Sequence, residues 1–190
     1  MKQKTGDKQT AIKRATIAEV VATGSSAASV NMIAKRAGIA VGTIYRYYES
    51  KDHLLRATYL TVKADVHAAI VSSLSSQVGS RANIRSMWFA ILDFAQTHPK
   101  AFLFAEVVLN DLILTDEERK QIDGMAQEIR AVIERAIEEK VVRDLNINAV
   151  VTLLSAPVLR LGRAAAMSGT APEPSYAEDV FKLCWHAIEL

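Results

Sequence analysis

Several features that would place this chain in a specialised class are scarce or absent. Cys184 is the only cysteine, which excludes an intramolecular disulfide, and no apolar signal segment follows the basic start of the chain. Both observations favour a reducing compartment over secretion. The longest apolar run, residues 149–159, is far shorter than the roughly 20 residues that a membrane span needs. We therefore expect a soluble, cytoplasmic protein.

Residues that interrupt regular structure are also few, with eight glycines and four prolines among 190 residues. Alternating apolar and polar runs, which are typical of strands, are scarce, and residues with high helix propensity dominate. About half of the residues are apolar, enough for one sizeable core or for a small domain beside a larger one. The composition predicts an all-α protein of about nine helices that follow a polar, flexible arm at residues 1–9.

Patterns that support catalysis or metal binding are missing as well. The four histidines, His53, His67, His98 and His186, fall on separate predicted helices without the tight spacing of a metal site. Cys184 and His186 are two residues apart, so their side chains diverge on a helix. No phosphate-loop glycine pattern occurs. We predict that the protein is not an enzyme and uses no cofactor or metal.

The charge is divided unevenly along the chain, although the net charge is only +2. Residues 1–51 hold nine lysines and arginines against three acidic residues, whereas the remainder holds 14 against 18. A basic front on an acidic body is expected when one end of a protein approaches phosphates. An ordinary solvated surface is the alternative interpretation of the same charges.

The basic part carries the spacing of a helix-turn-helix. Ser29 is placed to cap a helix, Ala34 is small enough for a close helix crossing, and Gly38 supplies the turn. Ile44 then pins the next short helix onto the preceding one. The residues left outward by this packing offer apolar contacts, hydroxyl groups and a guanidinium to a DNA groove: Val41, Thr43, Tyr45, Arg46 and Tyr47.

Residues 33–54, IAKRAGIAVGTIYRYYESKDHL, resemble the signature of the TetR family of bacterial transcriptional repressors. That signature runs approximately I-A-x-x-A-G-(V/I)-S-x-G-T-(L/I)-Y-x-(Y/F)-F-x-S-K-x-x-L. The stretch matches without a gap over about a tenth of the chain, and the length and helix count also agree with the family. Two positions depart from it: Ala40 replaces the serine that caps the recognition helix, and Tyr48 replaces the commoner phenylalanine.

The resemblance implies a three-helix DNA-binding domain at residues 1–50 and a helical bundle for ligand sensing and dimerisation at residues 51–190. It also implies roles for single residues in contact with double-stranded DNA. Contacts to phosphates are expected from Ser29, Tyr45, Tyr47 and Lys51. Contacts to bases are expected from Val41, Thr43 and Arg46, and a guanidinium can bind guanine O6 and N7 through two hydrogen bonds.

The last two predicted helices carry apolar stripes that we assign to a homodimer interface, since in the TetR family these helices form a four-helix bundle across the two-fold axis. An intramolecular core would use the same residues, and this alternative stays open. The residues are Val151, Leu154, Val158, Leu161, Ala165, Phe181, Cys184, Trp185 and Ile188.

For a small-molecule site we select large apolar residues of the central helices: Met87, Trp88, Ile91, Phe104 and Met125. Plain core packing is the alternative for each of them. Together these observations predict a ligand-responsive transcription regulator, in particular a homodimeric repressor that a small hydrophobic effector releases from a palindromic operator. The alternative is an all-helical adaptor whose helix-turn-helix binds a protein.

Overall fold

The computed structural model describes residues 2–108 and 114–190, with side chains from residue 7 onward. Over these residues the chain forms nine α-helices and no β-strand, which confirms the predicted all-α class. A single isolated bridge pairs Val142 with Glu189. The helices are α1 Lys2–Thr23, α2 Val30–Ala37, α3 Val41–Tyr45, α4 Lys51–Ser72, α5 Ser80–Thr97, α6 Pro99–Val108, α7 Asp116–Glu138, α8 Ile147–Ser168 and α9 Pro174–His186.

Most helix ends lie where local sequence signals predict them. The Ser29 hydroxyl accepts a hydrogen bond from the Met32 amide at 3.2 Å and caps α2. Gly38 ends α2 with a φ of 68°, a left-handed conformation that residues with a side chain adopt only at a cost. Thr115 and Glu118, whose T-x-x-E spacing predicts a capping box, form its two reciprocal hydrogen bonds at the start of α7.

Two helix starts differ from the predictions. The segment predicted as a flexible arm is the first part of α1, which begins at Lys2. Lysine and glutamine dominate this segment and favour a helix even where nothing apolar is available for packing. For the last helix, the sequence predicts that the Ser175 side chain caps the first turn, and this prediction is wrong. The helix begins at Pro174 without a side-chain cap. Proline suits a first turn because the amide that it lacks would have no partner there.

The chain divides into two compact units. The first comprises residues 1–63 and 100–118, and the second comprises residues 64–99 and 119–190. Helices α4 and α7 each contribute residues to both units. The domain boundary that we predicted after residue 50 stays a prediction.

The core of the first unit joins α1, α2 and α3 to the start of α4. Ile12 from α1, Ile33 from α2, Ile44 from α3 and Leu54 from α4 are essentially inaccessible to solvent and pack in one cluster. The first turns of α4 are therefore part of the packing that holds the short helices in place.

The core of the second unit is larger and centres on aromatic residues. Trp88 and Phe89 of α5 lie against Phe181 of α9, with ring centroids 5.7 and 6.1 Å from it. Helix α8 packs against both α5 and α9. Next to the bridge, the Leu190 amide donates to the Val141 carbonyl at 3.2 Å.

Within the described residues, α8 is the one helix long and apolar enough to cross a membrane by length and composition. One third of its most apolar window is buried inside the chain. Core helices of soluble proteins pass the same test. Helix α8 carries apolar residues on two sides, for example the buried Leu154 and Val158 and the exposed Leu153 and Leu159.

Candidate nucleic-acid interface

A buried isoleucine fixes the short helix α3. Ile44 is only 1% exposed and packs with Ile33 and Ala34 of α2. The turn between the helices closes on two hydrogen bonds, from the Gly38 amide to the Lys35 carbonyl and from the Ile39 amide to the Ala34 carbonyl. As predicted, the aliphatic anchor and the glycine turn hold α3 against α2, and the remaining residues of α3 are left for other contacts.

The residues around Ile44 present polar and aromatic groups to solvent. Arg46 is exposed, and Tyr45 is 52% exposed. Val41, Thr43 and Tyr47 are half-buried, and of these Val41 and Tyr47 also pack against the core of the first unit. The five outward positions predicted from the sequence therefore lie on one short segment, in which the exposed neighbours Tyr45 and Arg46 have half-buried residues on both sides.

Helix α3 is short and has no side-chain cap at its start. It spans five residues, and the preceding Ala40 has no side chain that can accept a hydrogen bond from the first turn. A serine there would add about 1 kcal/mol of capping. The conformation of α3 consequently depends on Ile44 and on the helices around it rather than on its own capping.

The two remaining predicted phosphate contacts lie at helix starts, where both also make structural hydrogen bonds. Ser29 caps α2, and Lys51 begins α4 with its ammonium group 3.0 Å from the Ser26 carbonyl oxygen. An ammonium group has three N–H donors, so Lys51 keeps two for an anion. Ser50 caps α4 by accepting from the His53 amide at 3.0 Å.

An ion pair that the sequence did not reveal joins α1 to α2. Glu19 is 2% exposed, and its carboxylate accepts from Nε and Nη2 of Arg36 at 3.1 and 3.0 Å. Burial of a lone carboxylate would be costly, and the two charge-assisted hydrogen bonds offset that cost. The residues are 17 positions apart on different helices, and no short-range sequence signal links them.

Tyr48 lies inside the first unit. It is 4% exposed, and its ring meets the edge of the His53 ring at a centroid distance of 5.7 Å. Burial raises the pKa of its phenol, and the nearby Tyr47 raises it further. Within the described residues its hydroxyl has no hydrogen-bond partner. Tyr48 thus contributes packing and leaves the surface role to its neighbours.

The residues predicted for ligand binding do not form one described site. Met87 and Trp88 are buried in the core of the second unit, and Ile91 and Met125 of that unit are half-buried. Phe104 is fully buried and belongs to the first unit. Within the described residues, the Trp88 indole nitrogen has no hydrogen-bond partner. Their role in ligand binding stays a prediction.

An open cavity of about 410 Å³ lies elsewhere in the second unit. It is bordered by the α4–α5 loop, the start of α5 and the end of α7, and none of the five predicted residues lines it. Three of its polar side chains are engaged with one another: Ser80 donates to Glu139 at 2.5 Å, and Arg135 pairs with Glu139 at 2.9 Å. Sequence periodicity gave no sign of this cavity.

The structure places the predicted dimer residues mainly inside the chain's own core. Only Val151 is half-buried, and the other eight are buried: Leu154, Val158, Leu161, Ala165, Phe181, Cys184, Trp185 and Ile188. Except for Ala165, these residues belong to the core cluster of the second unit or pack against it. Their role in a dimer interface stays a prediction. The exposed apolar residues of these helices are Leu153, Leu159, Met167, Tyr176 and Leu183.

Comparisons with known proteins agree with this architecture. Residues 12–58 match the family described as bacterial regulatory proteins, tetR family, and residues 61–190 match the tetracyclin repressor-like C-terminal domain. A curated relative, the uncharacterized HTH-type transcriptional regulator YhgD of Bacillus subtilis (strain 168), is 26% identical over 117 residues. That match spans 61% of this chain and 60% of the relative.

Solved structures show the same fold over the whole chain. A TetR family transcription regulator from Marinobacter aquaeolei VT8 is 26% identical, with a TM-score of 0.89 and coverage of 100% of this chain and 99% of that one. A TetR-family transcriptional regulator from Haemophilus influenzae Rd is 23% identical, with a TM-score of 0.83 and coverage of 99% and 100%. Because the match to the C-terminal domain alone extends over more than half of the sequence, the chain belongs to the TetR family of bacterial regulatory proteins.

Proposed function

We propose that the protein is a ligand-responsive transcriptional repressor that binds a palindromic operator as a homodimer in the bacterial cytoplasm. The observation that carries the proposal is the arrangement of α3. Its one buried residue, Ile44, anchors the helix, while Arg46 and Tyr45 beside it stay accessible. A guanidinium and hydroxyl groups on a firmly held helix suit contacts with base edges and phosphates in a major groove.

Selection of bound fragments from random duplex DNA tests this proposal and yields the operator. We expect a palindromic sequence, with half-sites separated by about one helical turn or a multiple of it. The logarithm of the binding constant should fall linearly with the logarithm of the salt concentration. Absence of duplex binding at low salt would reject the proposal and favour a protein-binding adaptor.

Two substitutions separate base recognition from phosphate contact. Arg46→Ala should relax discrimination at one base position, at a cost of about 1 to 3 kcal/mol for the preferred base. Lys51→Ala should weaken binding to all sequences alike and reduce the salt slope by about one unit, since Lys51 retains two free donors. Equal and sequence-independent losses from both substitutions would contradict these roles.

We assign the homodimer interface to the outward apolar side of α8 and α9. Leu183 is 70% exposed and Met167 is 67% exposed. Contact of such large apolar side chains with water is unfavourable, and a second copy of the chain would cover them. Leu183→Lys should shift the protein toward monomer in sedimentation equilibrium. Val78→Lys, at an exposed valine of the α4–α5 loop, is the matched control and should leave the mass unchanged.

The effector that we propose is a small apolar or amphipathic molecule bound in the second unit, where it favours a state with α4 tilted. A hundredfold loss of operator affinity requires about 2.8 kcal/mol of differential effector binding. A thermal-shift screen followed by operator competition identifies such a molecule. A compound that raises the melting temperature without altering operator affinity would not be the effector.

A further inference from the structure

The start of α4 is held by the DNA-binding helices through both packing and polar contacts. Leu54 lies in their core, and Lys51 donates to the Ser26 carbonyl between α1 and α2. Thr61, two residues before the first segment of this unit ends at Lys63, accepts a hydrogen bond from the Lys13 ammonium of α1 at 2.5 Å. Residues 51–63 therefore form a single mechanical body with α1, α2 and α3.

Arg56, on the same part of α4, makes a contact of a different kind. Its Nε lies 3.1 Å from the carboxylate of Glu118 in the first turn of α7. The two side chains are only 21% and 17% exposed, so water screens this pair less than it screens the ion pairs on the open surface. The pair is a polar link between residues 51–63 and α7.

Glu118 is held firmly on its own side of the pair. Its carboxylate accepts from the Thr115 amide at 2.8 Å, and its amide donates to the Thr115 hydroxyl at 3.3 Å. Burial raises the pKa of this carboxyl, but the hydrogen bonds from Thr115 and the pairing with Arg56 outweigh that effect, so the pKa lies below its ordinary value. The carboxylate is therefore charged and oriented when it meets Arg56.

Helix α7 continues from this contact into the second unit. It runs without interruption from Asp116 to Glu138, and Ile133 and Ala136 near its far end are buried in the second core. A helix is stiff along its axis, so rearrangement around Ile133 also moves the first turn of α7. A shift of about 1 Å there would lengthen a 3.1 Å charge-assisted hydrogen bond beyond its effective range.

We propose that Arg56 and Glu118 are positioning residues for operator binding, whose ion pair makes the placement of α4 and α3 depend on the position of α7. With the pair intact, α7 holds the DNA-binding helices in the orientation that binds the operator. Displacement of the first turn of α7 breaks the pair and releases them. The inference rests on the proposed repressor function and adds the residues through which the second unit regulates it.

Arg56→Gln and Glu118→Gln test the pair, because glutamine at position 118 still completes the capping box with Thr115. Each variant should lower operator affinity by about three- to tenfold. Base preference and salt slope should stay unchanged, since neither side chain touches DNA in this mechanism. The double variant should lose no more than either single variant, as expected of two groups that act as a unit. Arg56→Lys should restore part of the affinity.

Arg135→Gln is the matched control, because it removes an exposed ion pair with Glu139 that does not involve α4. It should bind the operator as the unmodified protein does. Additive losses, unchanged affinity in the single variants, or a salt slope lowered by about one unit in Arg56→Gln would each overturn the inference. The last result would identify Arg56 as a phosphate contact.

Hydrogen exchange separates failure of this inference from failure of the repressor function. Without DNA, the Arg56 and Glu118 variants should exchange faster at the amides of α3 and of residues 51–63, and the Arg135 variant should not. If the unmodified protein binds no duplex, the repressor function is rejected while the exchange data still decide whether the pair holds α4. Unchanged exchange in all variants would refute the link itself.

Discussion

Replacement of Tyr48 by phenylalanine should stabilise the protein. The side chain is 4% exposed, and its ring packs against His53 and the core of the first unit. Its hydroxyl is shielded from water and, within the described residues, has no hydrogen-bond partner. Phenylalanine keeps the ring and removes only the group that loses its hydration on folding.

The size of the effect follows from the desolvation of one hydroxyl. An unsatisfied buried polar group costs about 1 to 3 kcal/mol, and removal of both the group and its requirement for a partner recovers that cost. For a chain of this length, each kcal/mol corresponds to about 2 to 4 °C in melting temperature. Tyr48→Phe should therefore raise the free energy of unfolding by about 1 to 3 kcal/mol and the melting temperature by several degrees.

Urea unfolding followed by circular dichroism measures the change, with Tyr45→Phe as the control. Tyr45 is 52% exposed, so loss of its hydroxyl should alter stability by less than about 0.5 kcal/mol while it weakens DNA binding. Operator affinity of Tyr48→Phe should stay unchanged. A destabilisation of 1 kcal/mol or more would show that the Tyr48 hydroxyl does have a partner and would refute the reasoning.

Three further predictions concern packing, pH and reactivity. Ile44→Ala should lower the free energy of unfolding by about 2 to 5 kcal/mol in urea titrations and abolish operator binding; a cost below 1 kcal/mol would contradict its role as the anchor of α3. The hydrogen bond from Arg85 lowers the pKa of Glu178 below the ordinary value of 4.5. The charged carboxylate therefore stabilises the fold at pH values above 4.5, and this contribution is lost as the pH falls through the lowered pKa. Glu178→Gln should accordingly make acid unfolding less steep, and an unchanged pH profile would count against the pair. Burial raises the pKa of the Cys184 thiol, so a thiol reagent should label it at least about tenfold more slowly in the folded protein than in urea, and equal rates would refute its burial.

Sequence reasoning was most successful where short-range chemistry decides the structure. The end of α2 requires a left-handed conformation, which Gly38 adopts, and its start requires an acceptor for the Met32 amide, which Ser29 supplies. Both requirements involve residues close together in the sequence. Ile44 could be identified as an anchor because a helix-turn-helix of this length leaves one position facing the preceding helix.

Contacts between distant elements could not be predicted in the same way. Helix α8 has apolar residues on two sides, and periodicity alone does not indicate whether Leu154 or Leu153 faces the chain's own core. Burial in the structure assigns the inward side to Leu154. The pairs of Glu19 with Arg36 and of Arg56 with Glu118 join residues 17 and 62 positions apart, beyond the range of any helical spacing rule.

The division between one anchoring residue and several accessible residues on α3 affects how operator preference can evolve. Most of the free energy that holds this helix comes from Ile44 and from neighbouring helices, so substitutions at Thr43 or Arg46 disturb little of the packing. In the repressor that we propose, a lineage can therefore exchange these side chains and acquire new target promoters while the scaffold remains folded. Engineers who need repressors with non-overlapping operators can randomise the same two positions on an otherwise unaltered protein.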